Sequence, residues 1–273
     1  MATGLARVPT RRLAGPGAQR IDPSHPLARG LILALHGQRE VLAGRALTQA
    51  AGVTFLPAMG VRAFKFGGTA SQNVTVASLA SSSTIPLTLE AWVYLDSAST
   101  QGAFIKVGDV NGGHAIGVGS GNMSVSANDL LLLDESVAWR DTATAIGTGL
   151  HHVVGVFASG SNNTLAFLDG NRVGVFTGGH AAGASEPVAV GGYLAGDFSA
   201  RWSSAAIPIA RVWRRALTAG EVARLYADPN GLLARGRRPA DIALAAYESA
   251  AAPGAASMPR DRTWPRGLTR GLA

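Results

Sequence analysis

The chain has 273 residues, a formal net charge of +7 and no cysteine. Without cysteine no disulfide can form, so the sequence fits a protein that assembles in a reducing cytoplasm. Its apolar runs, such as residues 31–35 and 130–133, are far shorter than the roughly 18–20 residues of a membrane-spanning helix, which argues against a helical membrane protein.

The positive charge is concentrated at the two ends of the chain. Residues 1–30 and 235–273 each carry a net charge of +4, whereas residues 31–234 carry −1. Both ends are rich in Arg, Pro and Gly and lack hydrophobic periodicity, so we expect basic extended arms on either side of one domain. Arg11 and Arg12 look like a twin-arginine start, but no apolar stretch follows them, and no secretory signal is predicted.

The residues between the arms alternate in the manner of strands. Phe64 and Phe66 share one face of an early strand. In the segment 87–95 every odd position is apolar, which predicts a continuous buried face. Asp169-Gly170 is the two-residue signal of a type I′ hairpin turn. Residues 127–148 are ambiguous, because the stretch 129–137 fits either a strand or a helical turn.

A strand followed directly by a helix is predicted near the end of the domain. Residues 207–213 alternate with the two-residue period of a half-buried strand. Thr218 and Glu221 have the spacing of a capping box, which places a helix start at this point. The turn sequence DPNG at residues 228–231 requires the helix to end near Tyr226.

This strand and helix carry a resemblance to a known family. The sequence ARVWRRALTAGEVARLY resembles the closing strand and helix of laminin G-like, concanavalin A-type jelly rolls. Three further segments match in the same order: AFKFGGTASQNVTV, PLTLEAWVYL, and GLHHVVGVF followed by LAFLDGNRVG. The resemblance implies an all-β, two-sheet antiparallel jelly-roll sandwich over residues 31–234, with one short C-terminal helix. The sequence HPLARGL, which begins at residue 25, is similar to the entry segment of sandwiches in phage and prophage structural proteins.

A jelly roll of this type does not by itself define a function, because it hosts lectins, hydrolases, adhesion modules and viral coat components. The hydrolases that this fold resembles carry an E-x-D-x-x-E strand, which this chain lacks. Asp134 and Glu135 are adjacent and would point to opposite faces of a strand, and Glu90 has no acidic residue two positions away. We therefore expect no enzymatic activity. His151 and His152 are interpreted as packing residues, because neighbours on a strand diverge and cannot readily bind one metal ion.

Two ligand sites can be drawn from the residue pattern, each with a structural alternative. Glu90, Trp92 and Tyr94 share one face of a strand and would form an aromatic platform for a glycan, or else lie buried beneath another element. Asp109 and Asn111 offer oxygen ligands for calcium in a Gly-rich turn, although the same residues are ordinary in hairpins.

The hypothesis that combines these features is a non-enzymatic structural protein of a bacteriophage particle, most simply a capsid decoration or cement protein. It would assemble in the bacterial cytoplasm as a homo-oligomer on the major capsid protein or other virion subunits. Non-specific contact with nucleic acid is a further use of the arms, whereas specific binding of nucleic acid is not expected. The alternative hypothesis is a carbohydrate-binding module that recognises host glycans from a tail or head fibre. The arm residues expected to contact partners are Arg7, Arg11, Arg12, Arg20, Arg260, Arg262, Trp264, Arg266 and Arg270.

Overall fold

The structure is a computed structural model that describes residues 19–68, 72–79, 85–97, 102–108, 113–120, 124–134, 138–158, 160–178, 186–192 and 204–234. A short 3-10 helix spans Pro26–Ala28. The strands, numbered in chain order, are β1 (Leu31–His36), β2 (Arg39–Glu40), β3 (Leu47–Gln49), β4 (Thr54–Ala58), β5 (Val61–Lys65), β6 (Val74–Leu79), β7 (Leu87–Leu95), β8 (Gly102–Val107), β9 (His114–Ser120), β10 (Ser124–Asp134), β11 (Ala138–Ala145), β12 (Gly149–Phe157), β13 (Gly160–Leu168), β14 (Asn171–Gly178), β15 (Glu186–Val190) and β16 (Ala205–Trp213). They are followed by one helix, α1 (Ala219–Ala227).

The strands form two antiparallel sheets, as expected for a jelly-roll sandwich. A nine-stranded sheet has the order β14-β13-β12-β7-β16-β1-β2, with β5 pairing to β16 and β4 pairing to β5. A seven-stranded sheet has the order β11-β10-β9-β8-β15-β6-β3. One hydrophobic cluster between them draws buried residues from both sheets, including Leu89 of β7 and Ile116 of β9. We call this the inner cluster. None of the helices in the described ranges is long and apolar enough to cross a membrane.

Strand β7 confirms the predicted alternation on its inner side. Its odd positions, from Leu87 to Leu95, all belong to the inner cluster. Its even positions face away from the inner cluster, yet Thr88, Glu90 and Trp92 are also buried. Other segments of the chain therefore cover the outer face of the nine-stranded sheet.

Strand β16 departs from the predicted half-buried pattern. All nine of its residues are buried, because both of its faces are covered. The strict alternation is also wrong, since the pairing of β16 with β7 shifts register between Ala206 and Ile209. A bulge of this kind moves the following residues to the opposite face. Consequently Ile207, Ala210 and Val212 reach the inner cluster, whereas Ile209 does not.

The helix and the hairpin turn match their sequence signals. Thr218 Oγ1 accepts the Glu221 N–H, and the Glu221 side chain accepts the Thr218 N–H, so the capping box is complete. Helix α1 ends at Ala227, one residue beyond the predicted end at Tyr226. In the turn between β13 and β14, Asp169 has φ +50° and Gly170 has φ +79°, the backbone that a type I′ turn requires. The ambiguous stretch is resolved as two strands, β10 and β11.

The structure moves the boundary of the N-terminal arm. Residues 19–30, predicted to be part of an extended arm, lie against the domain instead. Ile21 and Leu27 are buried in a second hydrophobic cluster together with Trp213 and Leu225. We call it the outer cluster. Trp213 Nε1–H donates to Leu27 O at 2.8 Å, which fixes this segment over β16. The short apolar signals at Ile21 and Leu27 were hidden in a segment whose overall composition is typical of disorder.

The two ends of the described domain lie side by side. Ile21 and Leu233 form an antiparallel bridge. Asp22 N–H donates to Leu232 O at 2.8 Å, and Ala234 N–H donates to Arg20 O at 2.7 Å. The chain therefore enters and leaves the domain at one place.

Candidate functional site

The most polar buried cluster of the described residues lies on the outer face of the nine-stranded sheet. Glu90 of β7 pairs in register with Arg211 of β16 on one side, and His152 lies on the strand that flanks β7 on the other. Arg211 Nη1–H donates to both oxygens of Glu90 at 3.1 Å, and His152 Nε2 lies 3.0 Å from Glu90 Oε1. We call these three side chains the outer triad. All three are essentially inaccessible to solvent.

The charge of Glu90 is set by its two neighbours. Burial raises the pKa of a carboxyl group, but the Arg211 guanidinium and the hydrogen bond with His152 outweigh burial and leave the pKa of Glu90 below its ordinary value. Arg211 Nη2–H also donates to Pro229 O, in the turn that follows α1. The Glu90–Arg211 ion pair of the outer triad therefore attaches the C-terminal turn to the sheet.

An aromatic stack lies next to the outer triad. The rings of Trp92 and Tyr226 are parallel within 6° with centroids 5.8 Å apart, and the His152 ring lies 4.9 Å from Trp92 and 5.9 Å from Tyr226. Tyr226 belongs to α1, so the helix covers Trp92. In the described part of the chain, neither Trp92 Nε1 nor His152 Nδ1 has a hydrogen-bond partner, although both are buried.

These contacts exclude the glycan platform for Glu90 and Trp92 and agree with the alternative interpretation, in which the two residues lie beneath another element. Glu90 and Trp92 cannot meet a ligand on the surface, because α1 and the turn after it bury them. Tyr94 alone of the three predicted residues reaches solvent, with 37% of its surface exposed. The structure instead brings Tyr226, 38% exposed, to the same face of the sheet. The platform was predicted from the alternation along β7 alone, and Tyr226 belongs to the predicted helix. Its position in that helix was therefore the one sequence signal for it.

His36 of β1 forms a second polar contact between the two ends of the domain. Its Nδ1 lies 2.7 Å from Gln19 Oε1, and its Nε2 lies 2.9 Å from Asn230 Oδ1. Burial, with a further contribution from the Arg211 charge, lowers the pKa of His36 to about 4. His36 is therefore neutral at physiological pH. Sequence reasoning missed this residue, because no local motif links positions so far apart in the chain.

The paired histidines diverge, as predicted. His151 Nδ1 lies 2.9 Å from Asp169 Oδ2, at the hairpin turn, whereas His152 faces Glu90. The hydrogen bond with Asp169 raises the pKa of His151. Burial opposes ionisation of Asp169, but the hydrogen bonds from His151 and the His152 N–H leave its pKa lowered. The two imidazoles thus serve different parts of the fold.

The buried carboxylates of the described residues are used by the fold itself. Glu40 Oε2 accepts the N–H groups of Ala43 and Arg45 at 2.8 and 2.9 Å. Asp134 Oδ1 lies 3.7 Å from His114 Nε2, with both side chains buried. Near the surface, burial and the neighbouring charge of Asp141 raise the pKa of Asp129, while Asp141 Oδ1 accepts the Ala143 N–H. Across the described ranges, no group of three or more His, Asp or Glu side chains could hold a metal ion.

Several predicted site residues lie outside the described residues. They include the calcium candidates Asp109 and Asn111, and every predicted arm residue except Arg20. Arg20 lies on the domain and is exposed.

The exposed large apolar side chains lie on the outer side of the nine-stranded sheet. Among the described residues they are Tyr94 of β7, Val175 of β14 and Tyr226 of α1. Tyr94 is two residues from Trp92 on the outer face of β7, and Val175 pairs with Leu165, which packs on the outer cluster. Val175 lies level with Thr88, at the other end of this face and three strands away from β7. Tyr94 and Tyr226 lie close together beside the helix, because Tyr226 stacks on Trp92, two residues from Tyr94. We call this the Tyr94–Tyr226 surface.

Comparison with known proteins identifies the fold independently. The family model described as "Concanavalin A-like lectin/glucanases superfamily" matches residues 66–223, more than half of the chain. No curated protein sequence matches this chain.

Solved structures of low sequence identity share the architecture. Domain 4 of AbnA, a GH43 extracellular arabinanase from Geobacillus stearothermophilus, in complex with arabinotriose, is 18% identical with a TM-score of 0.54, covering 72% of this chain and 98% of that chain. The binding domain of botulinum neurotoxin DC in complex with SialylT is 11% identical with a TM-score of 0.55, covering 72% and 51%. The same toxin domain in complex with rat synaptotagmin II is 12% identical with a TM-score of 0.54, covering 72% and 51%. This chain spans about half the length of the toxin domains.

Proposed function

The chain belongs to the concanavalin A-like lectin and glucanase superfamily, and we propose that it is a non-catalytic binding module that recognises carbohydrate. The observation that carries this proposal is the Tyr94–Tyr226 surface, where two tyrosine rings, 37% and 38% exposed, lie close together beside α1. Scattered apolar residues are normal on a protein surface, whereas a shared location is typical of a binding site.

The chemistry of this surface suits a sugar ring. A tyrosine presents a flat apolar face together with a hydroxyl group, so it can stack on the C–H face of a sugar and hydrogen-bond to a neighbouring hydroxyl. Tyr226 is supported from below by Trp92 at 5.8 Å, which holds its ring in place. A ring held in this way loses little side-chain entropy when a ligand binds.

The location of the acidic groups supports a binding role rather than hydrolysis. Glycoside hydrolysis uses two carboxyl groups on either side of one bond. Glu90 faces Arg211 and His152 beneath the helix, and Glu40 and Asp134 are also buried. Two of the similar solved structures are described with ligands. The arabinanase domain is in complex with arabinotriose, and the toxin binding domain is in complex with SialylT.

A glycan array probed with the full chain tests this proposal. We expect binding to at least one neutral glycan, and a loss of about tenfold in affinity for Tyr94→Ala, the size of one stacking contact. Arg172→Ala, an exposed residue of the hairpin beside α1, is the matched control and should leave affinity unchanged. Absence of binding to all neutral glycans, or equal affinity of Tyr94→Ala and the unaltered chain, would refute it.

A second candidate function, a structural protein of a bacteriophage particle, is favoured by the paired ends of the domain. Residues 20–22 and 232–234 run side by side, so the two basic flanks start from one place. The net charge of residues 19–234 is zero, and the whole charge of +7 belongs to residues 1–18 and 235–273. Two cationic segments that start together would bind neighbouring acidic virion subunits with an affinity raised by their linkage.

Purified phage particles test this second candidate. The chain should be present at stoichiometric abundance, and deletion of residues 1–18 together with 253–273 should release it without changing its thermal unfolding. The deletion ends at residue 18 because residues 19–30 belong to the domain. Full occupancy of the particles after both deletions would exclude this arm mechanism.

A further inference from the structure

A cavity of about 900 Å³ lies beside the 3-10 helix, away from the Tyr94–Tyr226 surface. Its polar lining includes Arg20, His25 and Arg29, and its apolar lining includes Ile21, Pro26 and Leu42. We call it the Arg20–Arg29 cavity. Its volume falls within the range of about 300–1,000 Å³ that is usual for small-ligand sites.

The walls of the cavity are fixed by local hydrogen bonds. Asp22 Oδ1 accepts from Ser24 N–H at 2.9 Å and from Ser24 Oγ–H at 2.6 Å, which closes the turn at one side. His25 N–H donates to Asp22 O at 3.1 Å. Ile21 and Leu27, on either side of this turn, are buried in the outer cluster. The cavity is thus preformed by backbone that cannot easily collapse.

The three cationic or basic groups in the lining are available to a ligand. Within the described ranges, neither guanidinium of Arg20 or Arg29 forms an ion pair, and the carboxylate of Asp22 accepts two hydrogen bonds from Ser24, a residue of the lining. The Arg29 backbone is fixed, because Arg29 O accepts from Arg215 Nε–H at 2.8 Å. His25 Nδ1 accepts the Leu27 N–H at 3.2 Å, so the neutral imidazole carries its proton on Nε2, as a further donor.

We propose that the Arg20–Arg29 cavity binds an acidic saccharide through its carboxylate. Arginine forms paired hydrogen bonds with a carboxylate, and two arginines in the lining of one cavity favour an anionic ligand there. Pro26, Ile21 and Leu42 supply apolar surface for the C–H face of the ring. This inference rests on the proposed carbohydrate-binding function and adds a second subsite, specific for charge.

Calorimetric titration of the full chain with trigalacturonic acid, against the neutral maltotriose, tests the proposal. We expect trigalacturonic acid to bind with one-to-one stoichiometry, and Arg20→Gln and Arg29→Gln each to weaken it at least about tenfold, since each removes charged hydrogen bonds. The affinity for maltotriose should be unchanged by either substitution. Both arginine side chains are exposed, so thermal unfolding should be the same for all variants.

The double substitution Arg11→Gln/Arg12→Gln is the matched control for the basic N-terminal flank. It removes two positive charges, one more than either single substitution, and should change the affinity less than twofold. If this control loses as much affinity for trigalacturonic acid as the cavity variants, the binding is non-specific charge attraction and the proposal is wrong. Equal affinity of the unaltered chain for a hexaglutamate peptide would overturn the proposal in the same way. Tyr94→Ala should leave trigalacturonate binding unchanged. If the unaltered chain binds trigalacturonic acid but no neutral glycan, the result counts against the proposed function. If it binds a neutral glycan but not trigalacturonic acid, the result counts against this cavity.

Discussion

The two faces of strand β7 are buried in different ways. On the inner face, Leu87 to Leu95 contribute only apolar side chains to the cluster between the sheets. On the outer face, Glu90 pairs with Arg211 and His152 under a helix and a turn. One strand thus faces both an ordinary hydrophobic interior and a charged layer. Burial of the inner face of β7 follows from the alternation of apolar residues alone. Burial of the outer face depends on which distant segment of the chain covers it.

Removing the cation of the outer triad should produce the largest effect. Arg211→Met leaves Glu90 buried without its partner, and the free energy of unfolding should fall by about 3–5 kcal/mol. Urea denaturation measures it. The double variant Glu90→Gln/Arg211→Met removes both charges and should recover most of the loss. A fall of less than about 1 kcal/mol for Arg211→Met would contradict a buried, paired role for this side chain.

Truncation on the inner face of the same strand should cost slightly less. Leu89→Ala removes buried methyl groups and leaves a cavity in the inner cluster, so the free energy of unfolding should fall by about 3 kcal/mol. The same denaturation experiment applies. The effect should be independent of pH between 4 and 7, because no charged group of the inner cluster is involved. A pH-dependent loss would mean that the two faces of β7 are coupled.

The smallest of the three effects should be a pH dependence confined to the outer face. The pKa of His36 is about 4 in the folded chain and near 6.5 when unfolded, so the unfolded chain binds the proton first as pH falls. Stability should decrease by about 2 kcal/mol from pH 6.5 to pH 4, where the His36 contribution is lost. His151 has the opposite shift and changes stability only as pH rises above this window.

His36→Gln provides the control for this pH effect. It keeps hydrogen-bonding capacity toward Gln19 and Asn230 but cannot titrate. Denaturation curves of this variant should show a weaker decline in stability between pH 6.5 and pH 4. A decline equal to that of the unaltered chain would assign the pH dependence to other groups, such as Glu90, which pairs with Arg211.

Much of the sheet architecture could be predicted from the sequence, because it depends on local chemistry. The inner face of β7, the Asp169-Gly170 turn and the Thr218–Glu221 capping box each follow from residues close together in the chain. The bulge in β16 could not be predicted, since alternating apolar residues fit either face equally well. It became visible only in the pairing of Ala206 and Ile209 with β7.

The candidate site was less predictable, because it is built from distant segments. Trp92 was placed correctly on the outer face of β7, but only the position of Tyr226 decides that it is covered. In the same way, the basic composition around Arg20 obscured the anchors Ile21 and Leu27. Composition averages over a segment, whereas burial is decided residue by residue.

The bridge between Ile21 and Leu233 also bears on how this domain can be combined with others. Strands joined in this manner have Cα atoms about 5 Å apart, so a linker of a few glycines would span the gap between its ends. The domain could therefore be inserted into a surface loop of a host protein, or be circularly permuted with new termini at the Asp169-Gly170 turn, without disturbing either cluster.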